Sequence, residues 1–415
     1  MLNHFRKALI AIGSVGLTAS LIAGEGHQLM PLKEGELGSN RVIEMKIAGK
    51  RAMPTVQETQ PVSFTFPVTE DAQIETQYMP YVAESRGFSM RISNEDLYQG
   101  FVLPTTQSGA LVRIDALAND KGLETTDAVY PRDLILVTPE GQAFSDGAGM
   151  NLLANVEAME AVRKSGFSFA TSSFRIAEKL GNGEMMIYSE NVNLDEKRDF
   201  MVQVLERDSQ FQMNVQAKSD LYLAGQRLAF EFDMLKANAA IDAQFSAQAI
   251  SPSGKTYNVE VKGNRAYLNT DASFETGLYD LRVTGLANDG ELVIRRDGRT
   301  AFQVSLPVAR FTGAVDLENN KEGIRAAFDI EVAQSGRYEV RAILFAADAN
   351  GEMKPVSVAH QAAVIDSGLG VLELEFDRAA IEAQGFVGPF ELRDLRLIHQ
   401  NTMGIVHRQA TALRF

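Results

Sequence analysis

The sequence predicts a mainly β protein: three β-sandwich or immunoglobulin-like domains in series, with one amphipathic helix inserted in the N-terminal domain. Three observations predict it. From residue 61 onward, short runs of alternating apolar and polar residues recur, separated by Gly, Pro, Asn and Asp. Helical periodicity is confined to two short stretches. The 415 residues, at about 150 per domain, allow roughly three domains, and 45% hydrophobic with 23% charged residues is ordinary for folded chains.

In chain order, Arg6 and Lys7 precede an uncharged apolar stretch over 8–23, followed by Gly24-Glu25-Gly26, the pattern of a secretory signal peptide. Cleavage falls after Ala23 or after Ser20. The stretch is short for a spanning helix, which needs about 20 residues, and no later segment is long and apolar enough to span. Residues 24–60 contain no aromatic residue and balance their charges, so they read as a linker or loosely attached arm. Within the arm, Ile43, Met45 and Ile47 alternate as a short docking strand would.

The N-terminal domain is expected over 61–215. Its strands include Phe64-Thr65-Phe66, Leu111-Val112-Arg113-Ile114, Leu134-Ile135-Leu136-Val137 and Met185-Met186-Ile187-Tyr188. The inserted helix is expected over 151–164, where Leu152, Val156, Met159 and Val162 share a face and Gly166 stops it. An immunoglobulin-like sandwich follows over 216–307, with Tyr257-Asn258-Val259-Glu260-Val261 as a strand and Pro307 at its end. The C-terminal sandwich takes 308–415, including Leu372-Glu373-Leu374-Glu375-Phe376 and a short helix over 378–384 before Gly385. A terminal Phe415 is typical of outer-membrane barrels, but 8% aromatics without Trp cannot supply aromatic girdles, so it reads as the close of a soluble strand.

Two elements repeat. Gly277-Leu278-Tyr279 and Gly336-Arg337-Tyr338 each open a strand with a central Arg that leads to an Asn/Asp/Gly turn, and Leu111 to Ile114 resembles the same strand. Pro139-Glu140-Gly141 and Pro252-Ser253-Gly254 are Pro-x-Gly turns, where Pro presets φ and Gly accepts positive φ. The spacing is too irregular for a solenoid, so related sandwiches in series are implied.

The composition excludes a good deal of chemistry. With no Cys there is no thiol nucleophile, thiolate zinc site, iron–sulfur cluster, disulfide or lipid-bearing Cys. A net charge of −14 argues against nucleic acid as a partner. The densest basic run, Arg295-Arg296-Asp297-Gly298-Arg299, carries an Asp-Gly pair and reads as an exposed hairpin tip. With His4 in the leader and His27 in the arm, only His360, His399 and His407 remain, and no pair has zinc-site spacing. There is no Gly-x-Ser-x-Gly elbow and no phosphate loop, so no catalytic residue and no cofactor is assigned. Asp348, Asn350 and Glu352 put three oxygen-bearing side chains at alternate positions, as a calcium loop would, but the rest of an EF-hand is missing and any hairpin turn uses the same chemistry.

The stretch from Asn94 to Thr106 (Asn-Glu-Asp-Leu-Tyr-Gln-Gly-Phe-Val-Leu-Pro-Thr-Thr), Gly109 to Ile114, Leu136 to Gly141, Gly149-Met150, and Gly388 to Leu397 together resemble family 4785 of bacterial exported domains of unknown function. The resemblance implies an exported, multi-domain β-sandwich protein of Gram-negative type and carries no catalytic residue across. The function expected is therefore a periplasmic or secreted, non-enzymatic binding or structural protein, with an envelope or extracellular protein or glycan as partner. The alternative is an exported hydrolase with a carboxylate or calcium-assisted site in the N-terminal domain. The oligomeric state is left open.

Overall fold

The computed structural model describes residues 26–44, 58–69, 72–118, 129–153, 171–192, 197–290 and 292–415. Among these residues, six sheets pair face to face as three sandwiches. In the first, the order Gly87–Ser93, Asp199–Leu205, Leu111–Ala116, Thr171–Ile176, Met150–Leu152 packs on Phe101–Thr105, Gly183–Tyr188, Ile135–Val137, Ala143–Phe144. Strict alternation turns Val112, Ile114, Phe174, Val202 and Val204 inward against Leu103, Leu136, Met185 and Ile187. A short helix, Asn94–Gln99, closes one end. Ser93 caps it in a capping box with Asp96 and Leu97 is fully buried beneath it.

The middle sandwich stacks Glu260–Lys262, Arg265–Asn269, Arg227–Lys236, Phe211–Ala217 and Val82–Ser85 on Leu221–Leu223, Leu292–Ser305, Gly277–Asp289, Gln244–Ile250 and Thr256–Asn258. The run expected as one strand at 257–261 divides between them, Thr256–Asn258 in one sheet and Glu260–Lys262 in the other, with Val259 buried at the crossing. Its core is aromatic: the Tyr279 ring lies 5.2 Å from both Phe274 and Phe302, and Phe230 lies 5.2 Å from Phe302. Burying each such ring contributes about 2–3 kcal/mol, the kind of packing a chain without disulfides must rely on.

The C-terminal sandwich stacks Gly26–Gln28, Ala309–Asn319, Gly323–Val332 and Gly368–Asp377 on Val62–Pro67, Met353–Ile365, Gly336–Ala347, Val387–His399 and Gly404–Arg414. The helix Arg378–Ala383, capped by Asp377, lies where its periodicity places it, and Phe415 pairs with Phe390 through both backbone bonds. The middle and C-terminal sandwiches share one continuous core, while the first has its own.

Three expectations are corrected. The arm is not loosely attached over its described part, because strand edges offer it partners. Gly26–Gln28 pairs with Ala314–Asp316, Leu37 exchanges both backbone bonds with Arg408, and Ile43 N–H donates to the Pro307 carbonyl. Leu37 is buried beside Leu221 and Leu223. Met45 and Ile47 lie outside the described residues, as does the leader. Second, the segment after residue 61 does not join the first sandwich at once: Val62–Pro67 adds an edge to the C-terminal sheet and Val82–Ser85 one to the middle sheet. Third, Asn151 and Leu152, expected to open a helix, belong to a strand paired with Phe174 to Ile176; the rest of that helix lies outside the described residues apart from Leu153.

The repeats have a structural meaning. The Tyr279 hydroxyl donates to the Glu275 carbonyl at 2.8 Å and the Tyr338 hydroxyl to that of Gln334 at 2.6 Å, the same corner four residues back in two sandwiches. Pro139 and Pro252 each pack on a positive-φ glycine, Gly183 and Gly277, where an added Cβ would come within 2.7 and 2.8 Å of the proline ring.

Candidate functional site

The basic run is not a hairpin tip. It lies inside the strand Leu292–Ser305, which pairs without interruption to Gly277–Asp289, so that Arg282 opposes Arg299, Thr284 opposes Asp297 and Leu286 opposes Arg295. The turn lies further back, after Asp289. The Asp-Gly signal is overridden because the register of two long strands adds a pair of ladder bonds every second residue. Ile294, Phe302 and Val304 face the core, and Arg296 shares their parity; it is 0% exposed. Arg295, Asp297 and Arg299 face the other way.

Arg296 reaches the link between the first and middle sandwiches. Its Nη2 lies 2.6 Å from Glu206 Oε2, 2.7 Å from Thr106 Oγ1 and 2.8 Å from Ser209 Oγ, while Nη1 donates to the Arg295 carbonyl and Nε to that of Phe211. Glu206, also fully buried, accepts from the backbone amides of Thr106 and Gln107 and from the Thr106 hydroxyl. Burial holds the Arg296 guanidinium below the usual arginine range, opposed by the Glu206 charge. A second tie crosses beside it: Ser89 donates its N–H and hydroxyl to Asp297 Oδ2 at 2.7 and 2.9 Å, and Thr284 donates to Oδ1 at 2.8 Å.

These ties hold two sheet faces on either side of a groove of about 1120 Å³. One wall is the outer face of the first sandwich, where Ser89, Gln203, Arg113 and Ser173 stand abreast on four strands. The other is the outer face of the middle sandwich, where Asn258, Gln248, Arg282 and Arg299 stand abreast. Among the described residues, four arginines line the groove, Arg113, Arg282, Arg295 and Arg299, with one carboxylate, Asp297. Asp280 pairs with both Arg282 and Arg299, and Asp115 with Arg113.

The residues singled out by sequence lie elsewhere. His360 is on the outer face of the C-terminal sheet, stacked on Phe64 at 4.8 Å with Nδ1 2.9 Å from Glu339. His399 stacks on Tyr338, and His407 meets Phe311 edge-on; both are buried, and burial lowers their pKa values, that of His407 to about 4. Asp348, Asn350 and Glu352 sit in the turn between Gly336–Ala347 and Met353–Ile365. Asp348 Oδ1 accepts from the Asn350 and Glu352 amides, which hold its carboxyl below the usual range, and Glu352 pairs with Lys354 at 2.8 Å. Among the described residues, no group of three His, Cys, Asp or Glu side chains converges as a metal site. Sequence reasoning missed Glu206 and Thr106. A signal existed for Arg296 alone: a charge on the apolar parity of its strand.

Fold and groove define a class: a multi-domain, mainly β protein whose antiparallel sheets form several sandwiches. The chain belongs to the DUF4785 family. The model of the N-terminal domain of that domain of unknown function matches residues 54–206, and the model of its C-terminal domain matches residues 308–415. The crystal structure of a DUF4785 family protein from Legionella pneumophila is similar over 89% of this chain and 98% of its own, at 21% identity and a TM-score of 0.65. Chicken CNTN1 FN1–FN3 domains align over 76% of this chain and 96% of theirs, at 8% identity and a TM-score of 0.21. The chicken interferon gamma receptor alpha chain aligns over 46% and 90%, at 11% identity and 0.22. No curated protein matches the chain.

Proposed function

We propose that this chain is an exported, non-enzymatic binding or structural protein of the bacterial cell envelope, and that it holds its partner in the groove between the first and middle sandwiches. The observation that carries this reading is the groove itself: two exposed polar sheet faces held by one buried tie, Arg296–Glu206, and one part-buried tie, Ser89–Asp297, so that the walls are preorganised for a ligand. Export is supported by Arg6, Lys7 and the uncharged stretch that follows. Among the described residues no helix is long and apolar enough to cross a membrane. The hydrolase reading needs two carboxylates facing one space. The groove offers Asp297, whose oxygens are already engaged by Ser89 and Thr284.

The test is affinity capture from the envelope of the protein's own host, using the wild type and groove-blocking variants. Gln203→Trp and Ser246→Trp add bulk at exposed strand positions on opposite walls. A partner recovered by the wild type and lost from both variants supports the reading; equal recovery by all three overturns it. Hydrolysis of an envelope polymer by the wild type would restore the enzyme.

A further inference from the structure

Resting on the groove as the binding site, we propose that its ligand is an acidic polysaccharide: a hydroxyl-rich chain whose anionic groups are taken by Arg282 and Arg299, with Arg113 facing them from the other wall.

The groove wall carries a like-charged pair. Arg282 and Arg299 stand directly opposite each other in register, an arrangement that costs stability in a sheet. One carboxylate, Asp280, serves both. Two guanidinium groups sharing one anion leave donors and positive charge for a second, and planar guanidinium matches a carboxylate or phosphate in bidentate fashion. The C-terminal sheet carries a similar device, in which Arg341 and Arg396 oppose each other across Asp394, but there the side chains are only 31% and 30% exposed. In the groove they are 60% and 70% exposed and face open space.

The remaining lining narrows the ligand. Around the arginines stand the amides of Gln203, Gln248 and Asn258 and the hydroxyls of Ser89, Ser173 and Ser246, which supply the paired donors and acceptors that sugar hydroxyls use. A protein partner would call for aromatic anchors, yet the aromatic lining residues are Phe88, which is buried, and Phe245, which packs half-buried against the core. Single-stranded nucleic acid would need stacking platforms, and the same absence among the lining residues counts against it. With a chain charge of −14, polyanions are repelled over most of the surface, so binding one requires a local positive site.

The experiment is titration calorimetry of the full protein with four probes: polygalacturonate oligomers, phosphorylated dextran, neutral dextran and poly-glutamate. Saturable binding of polygalacturonate or phosphorylated dextran is expected, with the stronger of the two identifying the anion. Loss of charge-assisted pairs in Arg282→Gln with Arg299→Gln should weaken it by about tenfold or more. Asp280→Asn, which frees both guanidinium groups, should tighten it. A purely structural Asp280 would give no tightening, and Arg341→Gln in the other sheet should change nothing. Absence of binding, equal affinity for neutral dextran or poly-glutamate, or indifference to the double variant overturns the proposal. If blocking the groove with Ser246→Trp still abolishes capture of some other envelope partner, only the ligand class falls; if it does not, the groove falls with it.

Discussion

Replacing Glu206 with Ala tests whether the buried tie holds the first and middle sandwiches together. The substitution removes the acceptor of four groups at once: the Thr106 and Gln107 amides, the Thr106 hydroxyl and Arg296 Nη2. It also leaves a fully buried guanidinium without its counter-ion. Breaking a buried pair by removing one partner costs about 3–5 kcal/mol. Arg296 would keep the Phe211 and Arg295 carbonyls and the Ser209 hydroxyl, which places the loss near the lower end, about 3 kcal/mol. Because the chain has no Trp, urea unfolding is best followed by far-ultraviolet circular dichroism. Arg296→Met should cost a similar amount, and the double variant Glu206→Leu with Arg296→Met little more than either single change, since the pair acts as a unit. A loss below about 1 kcal/mol for Glu206→Ala, or single losses that add in the double variant, would refute the reasoning.

Gly298→Ala should destabilise by about 1–3 kcal/mol although Ala is the better strand residue, because its Cβ would fall 2.4 Å from Val215 Cγ2 inside the middle core; an unchanged unfolding midpoint would count against the packing. Stability should fall as pH drops from about 6.5 to about 4. Burial keeps His407 neutral in the folded state down to about 4, whereas the unfolded chain takes up the proton near 6.5, so His407 should contribute a loss of ~3 kcal/mol across that window and none above it. His407→Phe should flatten the profile, and an equally steep profile would sink the assignment. Melting with calcium and with chelator should coincide, since the amides of Asn350 and Glu352 and the ammonium of Lys354 already engage the Asp348 and Glu352 carboxylates; a calcium-dependent rise would establish a site at Asp348, Asn350 and Glu352.

Much of the fold was legible because sandwich strands carry their own periodicity. Gly277-x-Tyr279 and Gly336-x-Tyr338 were visible as a repeat, though a repeat does not say that the hydroxyl turns back to a carbonyl four residues upstream. The Ser93-x-x-Asp96 capping box is an equally local pattern. What no local pattern carries is which sheet edge a strand joins. Phe64 to Phe66 reads as a strand, but Val62–Pro67, like Val82–Ser85, pairs far along the chain, some 290 and 130 residues away, at sheet edges that leave backbone partners open.

The candidate site was hidden for a different reason. Two signals met at Arg295 to Arg299 and pointed opposite ways. Asp297-Gly298 is a turn dipeptide, a property of two residues that any loop would reward. Against it stood the apolar parity of Ile294, Phe302 and Val304, a property of the whole strand. Once both strands are long, each residue in register adds its ladder bonds and its side chain to the correct face, and a turn in the middle would discard them all. Parity therefore decides. It places Arg296 inward, where only a buried carboxylate makes it tolerable, and Arg295, Asp297 and Arg299 outward into the groove. The charge run that looked like a solvated tip is thus divided by a period of two into a structural tie on one face and a binding wall on the other.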